Sequence, residues 1–159
     1  MKRNAALACL FSVALAAPVA AQAPGADFIY LPPEATPFKS ALGAGPQQAV
    51  IFGDPSKPGV YVLRVKFPPG FHSWPHFHSQ DRHAVVIKGT WWNGQGEKLD
   101  FNAARPVEAG SYVFHPAGKV HWDGAGEEET IIQITGIGPV ETTAVGKPDP
   151  DSAHWPSPK

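Results

Sequence analysis

The chain has 159 residues, with 13 Lys and Arg against 14 Asp and Glu, for a formal net charge of −1. This length suits one domain and is short for two; a near-neutral chain without a Lys/Arg run offers little to nucleic acid or an anionic membrane. The single Cys and single Met, Cys9 and Met1, both lie at the start, so the rest has no thiol for a disulfide, a metal or catalysis.

The first segment reads as a secretory signal peptide. Lys2 and Arg3 form a basic start, Ala5 to Ala17 is apolar, and the small residues APVAAQA follow. Cleavage is expected after Ala21, with Val19 and Ala21 as the small residues. The apolar run is too short for a stable membrane anchor. The expected mature chain, about 138 residues long, can support a core without staples and resides in the periplasm or outside the cell. It keeps 11 basic residues against 14 acidic ones.

Residues 22–47 are rich in Pro, Ala and Gly, with one apolar piece, Phe28 to Leu31. Pro32, Pro33 and Pro37 exclude a continuous helix. An extended arm is expected, lying along the domain edge or against a second subunit of a homodimer; a loose leader is the alternative. Ala49 to Phe52 reads as a short strand ended by the turn GDPSKPG. In Val60 to Phe67, Tyr61, Leu63, Val65 and Phe67 share one face, and Arg64 and Lys66 the other. Ala84 to Trp92 reads as one strand closed by NGQGE, with short pieces at Lys98 to Phe101 and at Pro106 and Val107. Ser111 to His115 and Thr130 to Ile137 complete the strands. No window has helical periodicity. One all-β domain over residues 48–145 is expected, a sandwich or barrel, with a Pro-rich coil over 146–159.

Two stretches carry chemistry. In GFHSWPHFHSQDRHAVVIKG, Gly70 to Gly89, His76 and His78 stand two apart. On a strand they leave from the same face and can share one metal ion. In GSYVFHPAGKVH, Gly110 to His121, a strand ends at Pro116, Gly118 supplies a tight turn, and His121 opens the next strand.

Together these stretches resemble the two motifs of the cupin superfamily. Gly70, His76, His78 and Gly89 match the first motif; Gly110, Pro116, Gly118 and His121 match the second, with Ala125 where the family has Asn. The resemblance covers roughly Val60 to Ile137 and implies a jelly-roll β-barrel with a metal in its mouth. The metal ligands it implies are His76, His78 and His121. The family's fourth ligand, a Glu in the first motif, is missing, and Arg82 or His83 stands there. Three readings follow: a three-histidine site with open positions; replacement of the Glu by His83, Asp81 or Gln80, where His83 needs a bulge in SQDR if residue 82 points inward; or Arg82 in the cavity, weakening the metal.

His72 and Trp74 share the parity of His76 and His78 and are expected on the same cavity wall. His115 is a candidate proton carrier or substrate contact, or an outward-facing residue. Asp123 is a candidate acceptor for an imidazole, or simply a turn residue before Gly124. Arg82, His83 and His115 are thus the candidate catalytic residues, with Arg82 steering an anionic substrate.

The function implied is that of a metalloprotein acting on a small organic molecule. By resemblance to three-histidine cupins, oxidative cleavage with Fe(II) is its most concrete form. Isomerase or lyase chemistry on Mn, Ni or Zn follows, and Cu also fits imidazole ligands. A non-catalytic barrel binding a small ligand or a metal is the alternative.

Overall fold

The computed structural model describes residues 27–40 and 45–146. The leader with its cut after Ala21 and the Pro-rich coil beyond Gly146 lie outside the described residues. In chain order the strands are β1 (Lys39–Ser40), β2 (Gln47–Phe52), β3 (Gly59–Phe67), β4 (His76–His78), β5 (Arg82–Lys88), β6 (Thr90–Gln95), β7 (Arg105–Glu108), β8 (Tyr112–His115), β9 (His121–Ala125), β10 (Thr130–Gly138) and β11 (Thr142–Ala144). One short 3-10 turn, Pro33–Ala35, precedes them. They form two antiparallel sheets, ordered β1-β2-β3-β10-β5-β8 and β11-β4-β9-β6-β7.

Alternation along β3 and β10 builds the wall between the sheets. Tyr61, Leu63, Val65 and Phe67 are buried from β3, and Ile132 and Ile134 from the paired β10. Ala84 and Val86 of β5, with Trp91 and Ala125 from the facing sheet, close the core. The outward residues of β3 hold the arm: Arg64 Nη1 donates to Thr36 Oγ1 at 2.7 Å, and Lys66 lies 4.6 Å from the centre of the Phe38 ring. Within the arm, Lys39 and Ser40 pair with Gln48 and Gln47, adding an edge strand.

The structure corrects the expected single strand from Ala84 to Trp92. Gly89 divides it into β5, in one sheet, and β6, in the other. Its φ is +73°, and a Cβ there would meet Glu129 O at 2.5 Å. A left-handed backbone pressed against another chain segment tolerates only glycine. Gly89→Ala is therefore expected to cost roughly 2–3 kcal/mol, from left-handed strain plus the clash, and chemical denaturation of the two proteins measures it.

β6 also runs through Asn93, Gly94 and Gln95, residues expected to form the closing turn. The Trp122 ring covers Gly94 so closely that no side chain fits there, so this glycine serves the strand and not a turn. Residues Lys98 to Phe101, expected as a short strand, instead form a turn over Trp122. The Trp122 Nε1–H donates to Lys98 O at 3.1 Å, and the Phe101 ring lies 5.1 Å away. That cover buries β9 on both faces. The apolar core fills one end of the space between the sheets, and polar side chains converge at the other.

Candidate metal centre

Two strand pairings bring the three motif histidines together. His76 and His78 leave β4 on one face, and His121 of β9 is the direct cross-strand partner of His76. Ring centroids are 4.4 Å apart for His76 and His121, 4.8 Å for His76 and His78, and 5.2 Å for His78 and His121. The Pro116–Gly118 turn secures the second half. Gly118 takes a φ of +70°, and its N–H donates to His78 O at 2.9 Å, so the turn that launches β9 is tied to β4.

Each imidazole is oriented through Nδ1. His76 donates to Trp74 O at 2.7 Å and His121 to Lys119 O at 3.0 Å; these carbonyls can only accept, so Nε2 carries the lone pair. Nδ1 of His78 lies 2.9 Å from Thr142 Oγ1. The arrangement is that of histidine metal ligands, whose second nitrogen is held by a neighbouring acceptor. Nε2 of His121 is buried and has no hydrogen-bond partner. One ligand nitrogen from each ring lies within 4.8 Å of the others. Three nitrogens about 2.1 Å from one tetrahedral ion would be about 3.4 Å apart, so by their spacing alone a modest closure would bring them onto an ion. The residues present thus fit a divalent metal.

Burial keeps the His78 and His121 rings neutral. His78 is pushed down to about 2, first by burial and then by the positive Arg82 beside it. His121 is lowered by burial too, although Asp123 opposes the shift. Neutral imidazole is the form a metal needs. Thr142 lies on β11, an edge strand that the sequence pattern did not suggest. Thr142→Val removes the Nδ1 partner of His78 and is expected to weaken metal binding by about 10–100-fold, as read by calorimetric titration.

The opposite wall comes from the other sheet. Arg82 on β5 and His115 on β8 are cross-strand partners, and both side chains enter the space between the sheets. Arg82 Nη1 lies 2.5 Å from Nε2 of His78 and 3.2 Å from its Nδ1, so the guanidinium is pressed over the imidazole and is not lined up on one lone pair. Arg82 Nε is buried and has no hydrogen-bond partner. Burial lowers the pKa of Arg82, whereas the nearby Tyr61 and Asp123 favour its charge. Tyr61 comes from β3 and lies across Gly136, where an added Cβ would meet its hydroxyl oxygen at 2.6 Å.

The His115 ring is 4.0 Å from that of His121, centre to centre. Its Nε2–H donates to Asn93 Oδ1 at 3.1 Å, while Asn93 Nδ2 donates to Trp91 O at 3.3 Å, which fixes the amide. Nδ1 of His115 is left as the proton-accepting atom, and burial pushes the ring down to about 3. Asp123 is fully enclosed within β9. It accepts from Ser73 Oγ at 2.6 Å and Trp91 Nε1 at 3.2 Å, so it is neither a turn residue nor bonded to an imidazole. Burial works against its charge, but the attraction of His76 and His121 and the Ser73 bond together lower its pKa.

Other named residues lie elsewhere. His83 faces outward, with Nδ1 2.7 Å from Tyr112 Oη and its ring against Phe114. Strand alternation requires this once Arg82 points inward, and the irregularity of the β5–β10 pairing falls at Ile131/Ile132, away from SQDR. Asp81 accepts from the Ala117 N–H at 2.8 Å on the surface. With Gln80 and His83 it lines a surface pocket of about 290 Å³ outside the cluster. No acidic or histidine replacement for the missing Glu joins the three histidines among the described residues. His72 is buried against Phe101 and Trp122 on the outer side of its sheet, because the irregular segment before β4 breaks the parity carried back from His76.

Residues 42–142 match the model of a family described as a domain of unknown function, DUF4437. The chain belongs to that family. Its architecture is a cupin jelly roll. Polyketide cyclase RemF from Streptomyces resistomycificus superposes with a TM-score of 0.56 at 15% identity, over 65% of this chain and 73% of the other. A protein of unknown function with a cupin-like fold from Ralstonia eutropha JMP134 gives 0.56 at 27% identity, over 70% and 68%. DMSP lyase DddQ from Ruegeria pomeroyi DSS-3 gives 0.57 at 16% identity, over 72% and 64%. No curated protein matches this chain. These likenesses place the DUF4437 chain among cupins by fold, a fold shared by different chemistries.

Proposed function

We propose that this DUF4437 protein is a metal-dependent cupin enzyme acting on a small organic molecule. One observation carries the reading: three imidazoles from two paired strands are each fixed through Nδ1, and one ligand nitrogen from each ring lies within 4.8 Å of the others. His76, His78 and His121 would hold the ion. The metal would supply a Lewis acid or an oxygen-binding centre with open positions, and Fe(II) oxidative cleavage is the first chemistry to test. His115, neutral and oriented by Asn93, is the residue placed to accept a proton at Nδ1 from a molecule beside His121. Trp91 gives that space an apolar wall, its ring 5.2 Å from that of His115.

A secreted or periplasmic location belongs to the same proposal, supported by the residue pattern of the leader. So does a homodimer, for which the exposed Phe28, Ile29 and Tyr30 of the arm offer an apolar contact. One observation favours a second reading, a non-catalytic barrel: Arg82 crowds the coordinating edge of His78. Metal analysis of the purified protein comes first, followed by oxygen uptake and product formation over diketones, phenols and organic acids. Turnover that requires metal supports the enzyme; stoichiometric metal with no turnover on any compound favours the binding barrel.

A further inference from the structure

Arg82 is a cation inside the barrel mouth without an anion to match it. Among the described residues, the ion pairs join Lys57 to Asp54 and Lys88 to Glu129, and none includes Arg82. Asp123, the carboxylate enclosed with it, already has both oxygens engaged, by Ser73 and Trp91. The guanidinium rests instead on the His78 ring and beside the neutral Tyr61 hydroxyl, with Nε unpartnered. A buried charge persists at low cost only when it is paired and hydrogen-bonded, and a guanidinium keeps its charge and presents a planar fork suited to carboxylates. The same contact blocks the metal. While Nη1 lies against Nε2 of His78, the three nitrogens cannot close on an ion, and a guanidinium that remained nearby would repel it.

We propose that Arg82 is the carboxylate-binding group of this site, and that a small organic carboxylate and the metal bind cooperatively. The carboxylate draws the guanidinium off His78 and places negative charge between two positive centres. Metal binding, in turn, leaves Arg82 free for the carboxylate; the two affinities must change by the same factor. The substrate class is thereby a small organic acid. The inference rests on the reading of His76, His78 and His121 as metal ligands.

Calorimetric titration of the metal-stripped full chain with Zn(II) tests it, alone and with benzoate or its uncharged counterpart benzamide. Benzoate is expected to lower the Zn(II) dissociation constant at least tenfold, and benzamide to leave it unchanged. Arg82→Gln is expected to bind Zn(II) more tightly than the natural chain when no anion is present, and to show no benzoate effect. Arg82→Met serves the same purpose if the Gln variant does not fold. Equal Zn(II) affinity with and without benzoate in the natural chain would overturn the proposal while leaving the metal site standing. Coupling that survives in the Arg82 variants would overturn it too, because the carboxylate would then act on the metal alone. Stronger coupling with inorganic phosphate than with benzoate would overturn the assigned class. Failure of the natural chain to bind Zn(II) under any of these conditions would remove both the proposal and the metal site beneath it.

Discussion

His121→Ala is expected to lower metal affinity by at least 1,000-fold, roughly 4 kcal/mol or more, while leaving a folded barrel. His121 would supply the ligand from β9, and its Nε2 has no protein partner to lose. Two histidines on β4 would remain, and a pair holds a divalent ion far less well than three convergent neutral nitrogens. His76→Ala should behave similarly, although its half-buried position leaves more room for water to substitute. Circular dichroism establishes that each variant folds, and titration with Zn(II) and Mn(II) gives the affinities. Unchanged stoichiometric binding in both variants would show that the ion sits elsewhere.

The metal-free protein should lose several kcal/mol of stability between pH 7 and pH 5. His78 and His115 are held near 2 and 3 by burial, and His121 is lowered as well. In the unfolded chain the same groups titrate near 6.5. Below that value the unfolded chain binds more protons than the folded one, so stability falls with falling pH. Above pH 6.5 the contribution is complete. At pH 5 each fully neutral histidine costs about 2 kcal/mol, at 1.36 kcal/mol per pH unit. Denaturant midpoints at the two pH values, with chelator present, measure the effect. His115→Gln replaces one titrating ring with a neutral amide and should flatten the curve. A curve with no slope in this range would mean that the rings take up protons in the fold.

The parts legible in the sequence are those fixed by local chemistry. Alternation in Val60 to Phe67 foretold the buried face of β3, since a half-buried strand must separate its apolar and polar residues. The two histidine motifs indicated which side chains to look for because their glycines and Pro116 mark turns that set the strand starts. Other features depended on distant segments. The break at Gly89 is imposed by Glu129, forty residues away. Asn93 and Gly94 look like a turn until Trp122 is laid over Gly94, and only then does Asn93 become the partner of His115. β11, with the residues TTA, carries no pattern of its own and exists because it pairs with His76–His78. The direction of Arg82 is a parity question, and parity could not be carried across the irregular residues between β4 and β5.

Arg82 is where the site departs most from the family motif. A guanidinium about 4 Å from a divalent ion costs several kcal/mol at an effective dielectric near 20, and the Glu expected there would instead attract the ion. The most direct test is a crystal structure of the protein soaked in Zn(II) together with benzoate, with anomalous diffraction recorded at the zinc edge. The account predicts one peak within about 2.2 Å of Nε2 of His76, His78 and His121, with Arg82 withdrawn from the His78 ring. A peak at another site, or none while Arg82 still rests on His78, would contradict it.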